Sequence, residues 1–428
     1  MKEKFIKSTI ILLIGGLITK ILGLIIKITM SRLIGTKGLA MYMLILPTFS
    51  LLINIGTFSI PIALSKLISE DTRNNKNLFF STLPILFIVN ITLITIVILT
   101  SQYISTTLLK NKDLYISILS MSLVIPFTTI SAICRSYFFG KEKMTPHVIS
   151  NIVEDIVRLL LMIIGIPYFL QFGLKYAVCF IILSNIISEV TSTIILIFFL
   201  PKNITLKRKD FHPNKIYIKD TLKISIPNTL SRLIGSVAYF LEPIILITFL
   251  SKNYSINYIT HEYGIISGYV IPLILLPSFF TLAISQALLP VISKEYIKGN
   301  KKYIRKKINL TLAFTIILGL LIIIPLTIYP NFFLNFLYKT TEGANYMRLL
   351  APICLLEYIQ SPISFSIEAI GKSKINFYAS IISVASRTII LIILSNFKLG
   401  IYSFIISLSI NIMLTTLYSY IKLNKYLK

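Results

Sequence analysis

The stretch TIILLIGGLITKILGLIIKITMSR, residues 9–32, sets the class of the fold. A hydrocarbon core about 30 Å thick is crossed by a helix of about 20 apolar residues, and this run meets that length with only Lys20 and Lys27 as interior charges. It follows Lys2, Lys4 and Lys7 as a signal peptide would. Because it continues past Met30 without an Ala-x-Ala-like cleavage site, it reads as a retained first span. Runs of the same kind recur to Ile421 with short polar breaks, and gaps of that size hold no soluble domain. The chain of 428 residues is 55% apolar and 14% charged, roughly half the charged fraction of a soluble domain. The expectation is an all-α polytopic membrane protein of about twelve transmembrane helices: 9–32, 38–57, 78–100, 114–138, 147–170, 176–200, 224–250, 263–282, 308–329, 347–370, 376–395 and 400–421. Pro61 and Pro290 each suit the first turn of a short helix that follows a span.

The net charge of +26 raises nucleic acid as a partner, and the placement of the 42 Lys and Arg residues argues against it. With the N-terminus cytoplasmic, inner loops and termini hold 28, outer loops hold 9, and the remaining five, Lys20, Lys27, Arg158, Arg232 and Arg387, lie within spans. That is the positive-inside bias, and it sets both termini in the cytoplasm. The basic segments 202–223 and 294–307 then face anionic membrane lipids rather than nucleic acid. Cys134, Cys179 and Cys354 fall in separate spans, which indicates packing and neither a disulfide framework nor a metal cluster. His147 and His212 are placed in inner loops and His261 in an outer one. No catalytic centre, metal site or cofactor is expected, so the chain reads as a non-enzyme.

The halves of the chain repeat one another. TKILG at 19–23 returns as SRLIG at 231–235, LPTF at 46–49 as LPSF at 276–279, and Gly140-Lys141 as Gly371-Lys372, in the same order and at corresponding spans. Two copies of six spans have the same orientation, which predicts two pseudo-symmetric six-helix lobes, residues 1–215 and 216–428.

Gly16, Lys20, Gly23 and Lys27 share one helical face, with the two lysine attachment points about 10 Å apart along the axis. A mid-membrane lysine costs roughly 2.5 to 3.5 kcal/mol, so such a residue meets water, a partner or an anion, or else snorkels to the interface. The seventh span repeats the pattern with Asn228, Arg232, Gly235, Tyr239 and Glu242 on one face. Symmetric lobes would turn Lys20 and Arg232 toward a common cleft, a cationic pocket suited to phosphate or pyrophosphate. Glu242 is a candidate to neutralise Arg232 or Lys27. Glu154 precedes Arg158 by four residues, in the favoured order for a helical ion pair, and the two read as a clamp at the cytoplasmic mouth. Glu189, Glu242 and Glu357 are membrane charges open to two readings, ion coupling or structural pairing, as are Glu368 and Arg387.

These residues carry a resemblance. ITKILG at 18–23, SRLIGTKGLAMYML at 31–44, PIALSKLISE at 61–70, RSYFFGKEKMTPHVISNIVEDIVR at 135–158, SRLIGSVAYFLEPI at 231–244 and YGIISGYVIPLILLPSF at 263–279 with ALLPVISKEY at 287–296 together resemble the stage V sporulation protein B group. That group comprises polysaccharide and peptidoglycan-precursor transporters within the superfamily that also holds MATE exporters and lipid II flippases. The resemblance implies a MATE-like fold in the bacterial cytoplasmic membrane. It also implies flipping, by alternating access, of lipid II or a related undecaprenyl-pyrophosphate glycan, with spore cortex among the destinations. Basic residues of the first span bind the precursor in related flippases; Lys20 and Lys27 match those positions, with lysine where arginine is usual, and Arg232 joins them through the repeat. The implied partners are the undecaprenyl-linked glycan, membrane lipids and cell-wall synthesis proteins. A cation-coupled multidrug exporter of the MATE type is the nearest alternative and calls for carboxylates rather than lysines in the first lobe. A wall-synthesis scaffold without transport activity would tolerate loss of Lys20 and Arg232. A glycan polymerase would need an acidic or histidine-rich outer loop, and the outer loops here are short.

Overall fold

The computed structural model describes residues 2–70, 74–200 and 212–427, a succession of helices with no strand among them. A backbone in hydrocarbon must satisfy its own hydrogen bonds, and helices do so within each segment. The first half carries α1 (Lys2–Thr57), α2 (Ile60–Ser69), α3 (Asn75–Tyr103), α4 (Tyr115–Gly140), α5 (Met144–Leu170) and α6 (Leu174–Phe198), followed by the long α7 (Lys215–Leu250). The second half carries α8 (Ile256–Ile265), α9 (Ile271–Ile274), α10 (Ser278–Ile297), α11 (Lys301–Ile328), α12 (Pro330–Tyr338), α13 (Ala344–Ala369), α14 (Lys374–Ser395) and α15 (Tyr402–Leu427).

Among the described residues nine helical stretches are long and apolar enough to cross a membrane, and the bent pair 256–274 and 278–297 supplies a tenth. The run of 56 residues in α1 is about twice what one crossing needs, and Gly35, at φ 67° and ψ −179°, divides it. The 27 residues of α5 are long enough as well, although its charges lower its hydropathy. With these two, the helices are consistent with the expected twelve. Pro61 opens α2 as expected. Pro290 lies inside α10 instead of starting a helix, since membrane helices tolerate proline where neighbours and local adjustments satisfy the freed carbonyl.

The described chain forms two compact units, 1–241 and 242–428, with the division inside α7. In the first, α1 packs on α4 and α5, and α6 packs on both of these. Phe180 of α6 lies so close to Gly165 of α5 that a Cβ there would fall 2.2 Å from the ring, the close approach that small residues allow between membrane helices. Ile60, Leu64, Leu78 and Ile133 form an apolar cluster on which Tyr217 and Ile224 of α7 rest. Polar bonds pin the start of α7 to α3: Asn77 Nδ2 donates to the His212 carbonyl at 2.8 Å, and the Asn214 N–H donates to Ser81 Oγ at 2.9 Å. In the second unit α13 is central, packed on α10, α11 and α15 around Ile308, Ile363, Ile367 and Leu423. Many membrane-depth hydroxyls bond along their own helices, as where Thr415 donates to the Asn411 carbonyl at 2.9 Å.

Gly35 occupies backbone space that is nearly exclusive to glycine, and nothing lies within 4 Å of where its Cβ would be. The substitution Gly35→Ala therefore acts through backbone strain alone. It is expected to lower stability by ~1–3 kcal/mol, read as a lower thermal midpoint of the purified protein in detergent.

Candidate functional site

The strongest electrostatic feature of the first unit joins α4, α5 and α6. Arg135 of α4 binds Glu154 of α5 and, at 2.8 Å, Glu189 of α6, and it also donates to Ser192 Oγ at 3.0 Å. Glu154 turns its other oxygen to Arg158, one helical turn along α5, at 2.5 Å. Arg158 also meets Asp155 at 3.3 Å. Two guanidiniums thus serve three carboxylates, and the side chains of Glu154 and Glu189 are only 8% and 10% exposed. Charges this far from water persist because each has an oppositely charged partner. Glu154 and Arg158 are paired along α5, and Glu189, isolated in the sequence, is a member of the same network. Arg135 had no role assigned from sequence. Its partners are 19 and 54 residues away, beyond the reach of helical spacing.

In the second unit Glu242 receives Arg387 of α14 at 2.5 Å and the Tyr263 hydroxyl of α8 at 3.2 Å. The sequence-based partners for Glu242 were Arg232 and Lys27; the guanidinium it binds is that of Arg387, 145 residues later. The same guanidinium lies 5.7 Å from the centroid of the Phe404 ring. Arg387 is therefore the cation that Glu242 holds in the second unit.

The cationic residues of α1 and α7 have different surroundings. Lys20 is exposed, with no hydrogen-bond or ion-pair partner among the described residues, and Lys27, two turns further, is partly buried. Arg232 is exposed too, but its Nη2 donates to Asn54 Oδ1 at 2.5 Å, and Asn54 Nδ2 donates to Ser236 Oγ at 2.7 Å. This chain of bonds ties α7 to the second half of α1 and holds the guanidinium by one edge, leaving its other donors for a ligand. Gly23, one turn after Lys20, and Gly235, one turn after Arg232, both have nothing within 4 Å of the place a Cβ would take. Both faces therefore look into open space. Lys20 and Arg232 belong to the same compact unit. Asn54 was not singled out from sequence; its signal was weak, a lone amide in an apolar run.

Cys134, Cys179 and Cys354 are free thiols. Among the described residues no group of three His, Cys, Asp or Glu side chains is arranged to hold a metal ion.

A model of the family described as "Polysaccharide biosynthesis protein" matches residues 5–296, and a MatE model matches residues 267–394. Over 428 residues the chain is 28% identical to stage V sporulation protein B of Bacillus subtilis, covering 97% of this chain and 83% of that one. The structure of lipid II flippase MurJ in an inward closed conformation is similar at a TM-score of 0.75 and 17% identity, covering 96% of this chain and 87% of that one. An inward-facing multidrug resistance MATE transporter is similar at a TM-score of 0.69 and 16% identity, covering 96% of this chain and 94% of that one. At these identities the two structures establish a shared fold.

The networks generate two expectations for stability. Arg135→Ala strands Glu189 and leaves Glu154 to Arg158 alone, and should cost about 3–5 kcal/mol in detergent unfolding, the penalty for breaking a buried pair. Arg387→Met should destabilise the second unit, and adding Glu242→Gln should recover much of the loss. A double-mutant cycle checks the pair, since additive effects would mean that the two residues are not coupled.

Proposed function

The chain belongs to the polysaccharide biosynthesis protein family, and from that premise we propose that it is a flippase for a lipid-linked cell-wall precursor. The substrate is an undecaprenyl-pyrophosphate glycan, lipid II or a close relative, carried across the bacterial cytoplasmic membrane. Its headgroup meets Lys20 and Arg232, with Lys27 further along the same helix face, while the lipid tail stays among the bilayer chains.

The observation that carries this reading is the pair of exposed cationic faces on α1 and α7, with Arg232 oriented by Asn54. Two functions follow from their chemistry. An arginine held at one edge presents its remaining N–H groups to a phosphate in a fixed plane. A lysine supplies a compact charge that can follow the phosphate as it moves. Three acidic side chains of the same unit, Glu154, Asp155 and Glu189, are engaged by Arg135 and Arg158 and are not partners of the cations on the open face. A site for cationic drugs calls for the opposite sign.

In this reading the two halves, 1–215 and 216–428, supply six spans each, both termini are cytoplasmic, and alternating access brings the cationic face to each side of the membrane in turn. Export of one negative charge from an inside-negative cell releases about 2.3 kcal/mol per 100 mV, so a dianionic headgroup gains roughly 4.6 kcal/mol from that potential. The Glu242 site contains its own cation in Arg387, so the membrane potential is the simpler driving force. The relative named for stage V of sporulation makes spore-wall precursors the first candidates, with cell-wall synthesis proteins as candidate partners.

Translocation of a fluorescent lipid II analogue by proteoliposomes tests the proposal. Lys20→Ala and Arg232→Ala are each expected to slow it by about tenfold or more, equivalent to about 1.4 kcal/mol of lost binding at each site, and Arg232→Lys should fall between. Undiminished rates in both alanine variants, or no movement of the analogue by the native chain, would overturn it.

A further inference from the structure

The second unit contains an open polar cavity of about 420 Å³ that has no part in the networks described above. It is bounded by the end of α8, the start of α12, the loop into α13 and the first residue of α15. This loop and the end of α8 fall on the side that the basic-residue bias assigns to the cell exterior. The volume lies within the roughly 300–1,000 Å³ range of small-molecule sites.

Its walls are built and internally braced. Gly343, at φ 93°, turns the chain into α13, and a Cβ there would lie 2.7 Å from Ile265, so the loop seats directly on α8. Tyr346 donates its hydroxyl to Glu262 at 2.5 Å. The imidazole of His261 stands between two carboxylates, Nδ1 at 3.3 Å from Glu262 and Nε2 at 3.5 Å from Glu342. Arg348 donates to Asn345 Oδ1 at 3.2 Å. The rings of Tyr346 and Tyr402 meet edge to face with centroids 5.7 Å apart.

Each part has a counterpart in a sugar. Carboxylates accept hydrogen bonds from hydroxyl and amide N–H groups, while amide and guanidinium donors reach carbonyl and ring oxygens. Tyrosine rings offer apolar faces to the C–H side of a pyranose and a polar tip at the rim. A metal ion fits less well, because His261 holds the two glutamates apart and no metal-binding group of three exists among the described residues. An anion fits less well again, with two carboxylates at the wall.

We propose that this cavity is a binding site for an acetamido-hexose glycan, which receives the sugar headgroup on the exterior side after the lipid-linked precursor has crossed. That role in transport rests on the flippase reading above; the sugar chemistry of the cavity is independent of it. Such a site holds the headgroup on the exterior side before release and slows its return through the protein.

The test is ligand-observed saturation-transfer NMR on the purified full-length chain in detergent with N,N′-diacetylchitobiose as probe. Saturable transfer to the acetamido methyl and ring protons is expected, with affinity about tenfold weaker in Tyr402→Ala and in Asn345→Ala. Asn345 is exposed, so its variant separates loss of ligand contact from loss of fold, with circular dichroism as the check. Absence of saturable transfer in the native chain, or unchanged affinity in both variants, overturns the proposal. Translocation without chitobiose binding defeats this inference alone. Chitobiose binding without translocation of a lipid II analogue defeats the flippase reading and leaves the sugar site standing.

Discussion

A charge inside hydrocarbon must be paired, hydrated or given a ligand, and that constraint organises this molecule. The helices α4, α5 and α6 can carry Arg135, Glu154, Asp155, Arg158 and Glu189 because these groups pair with one another where little water reaches them. Glu242 persists in the second unit because Arg387 and Tyr263 serve it. Once these pairs are drawn, Lys20 and Arg232 stand out as exposed cations on faces with open space beside them. The carboxylates of those pairs are not their partners.

The repeat gives this arrangement a second meaning. Lys20 with Gly23 and Arg232 with Gly235 occupy matching places in TKILG and SRLIG, and in both copies the glycine opens the space next to the base. The copies diverge in support: Arg232 is braced by Asn54 and Ser236, which makes it the better geometric reader of a phosphate. Cationic chemistry at this face and the carboxylates, amide and tyrosine rings of the second unit's cavity would divide recognition of one amphiphilic substrate between its phosphates and its sugar.

Most of the fold was legible because hydropathy writes each span locally. The run at 9–32 needed no tertiary information, and neither did the i, i+4 pair of Glu154 and Arg158. Arg135, Asn54 and the link from Glu242 to Arg387 were not legible, because their partners come from other helices and carry no spacing rule. Glu189 read as isolated for the same reason. Pro290 misled in the other direction: a local rule about proline gave way to a helix that continues through it. The cavity of the second unit was hidden because it is assembled from four separate elements, and His261 and Glu262 of α8 meet Glu342 only when the loop into α13 closes on that helix.

The central claim is that the face carrying Lys20 and Arg232 opens to water and to an anionic headgroup rather than to lipid chains. Gly23→Cys and Gly235→Cys, made after replacing Cys134, Cys179 and Cys354, keep both cations and place a thiol beside each in open space. The measurement is their modification rate by membrane-impermeant thiosulfonates of opposite charge. The account predicts that both thiols react, faster with the anionic reagent than with the cationic one, and that a prenyl pyrophosphate protects them. Reaction with lipid-soluble maleimides alone, or a preference for the cationic reagent, would contradict it.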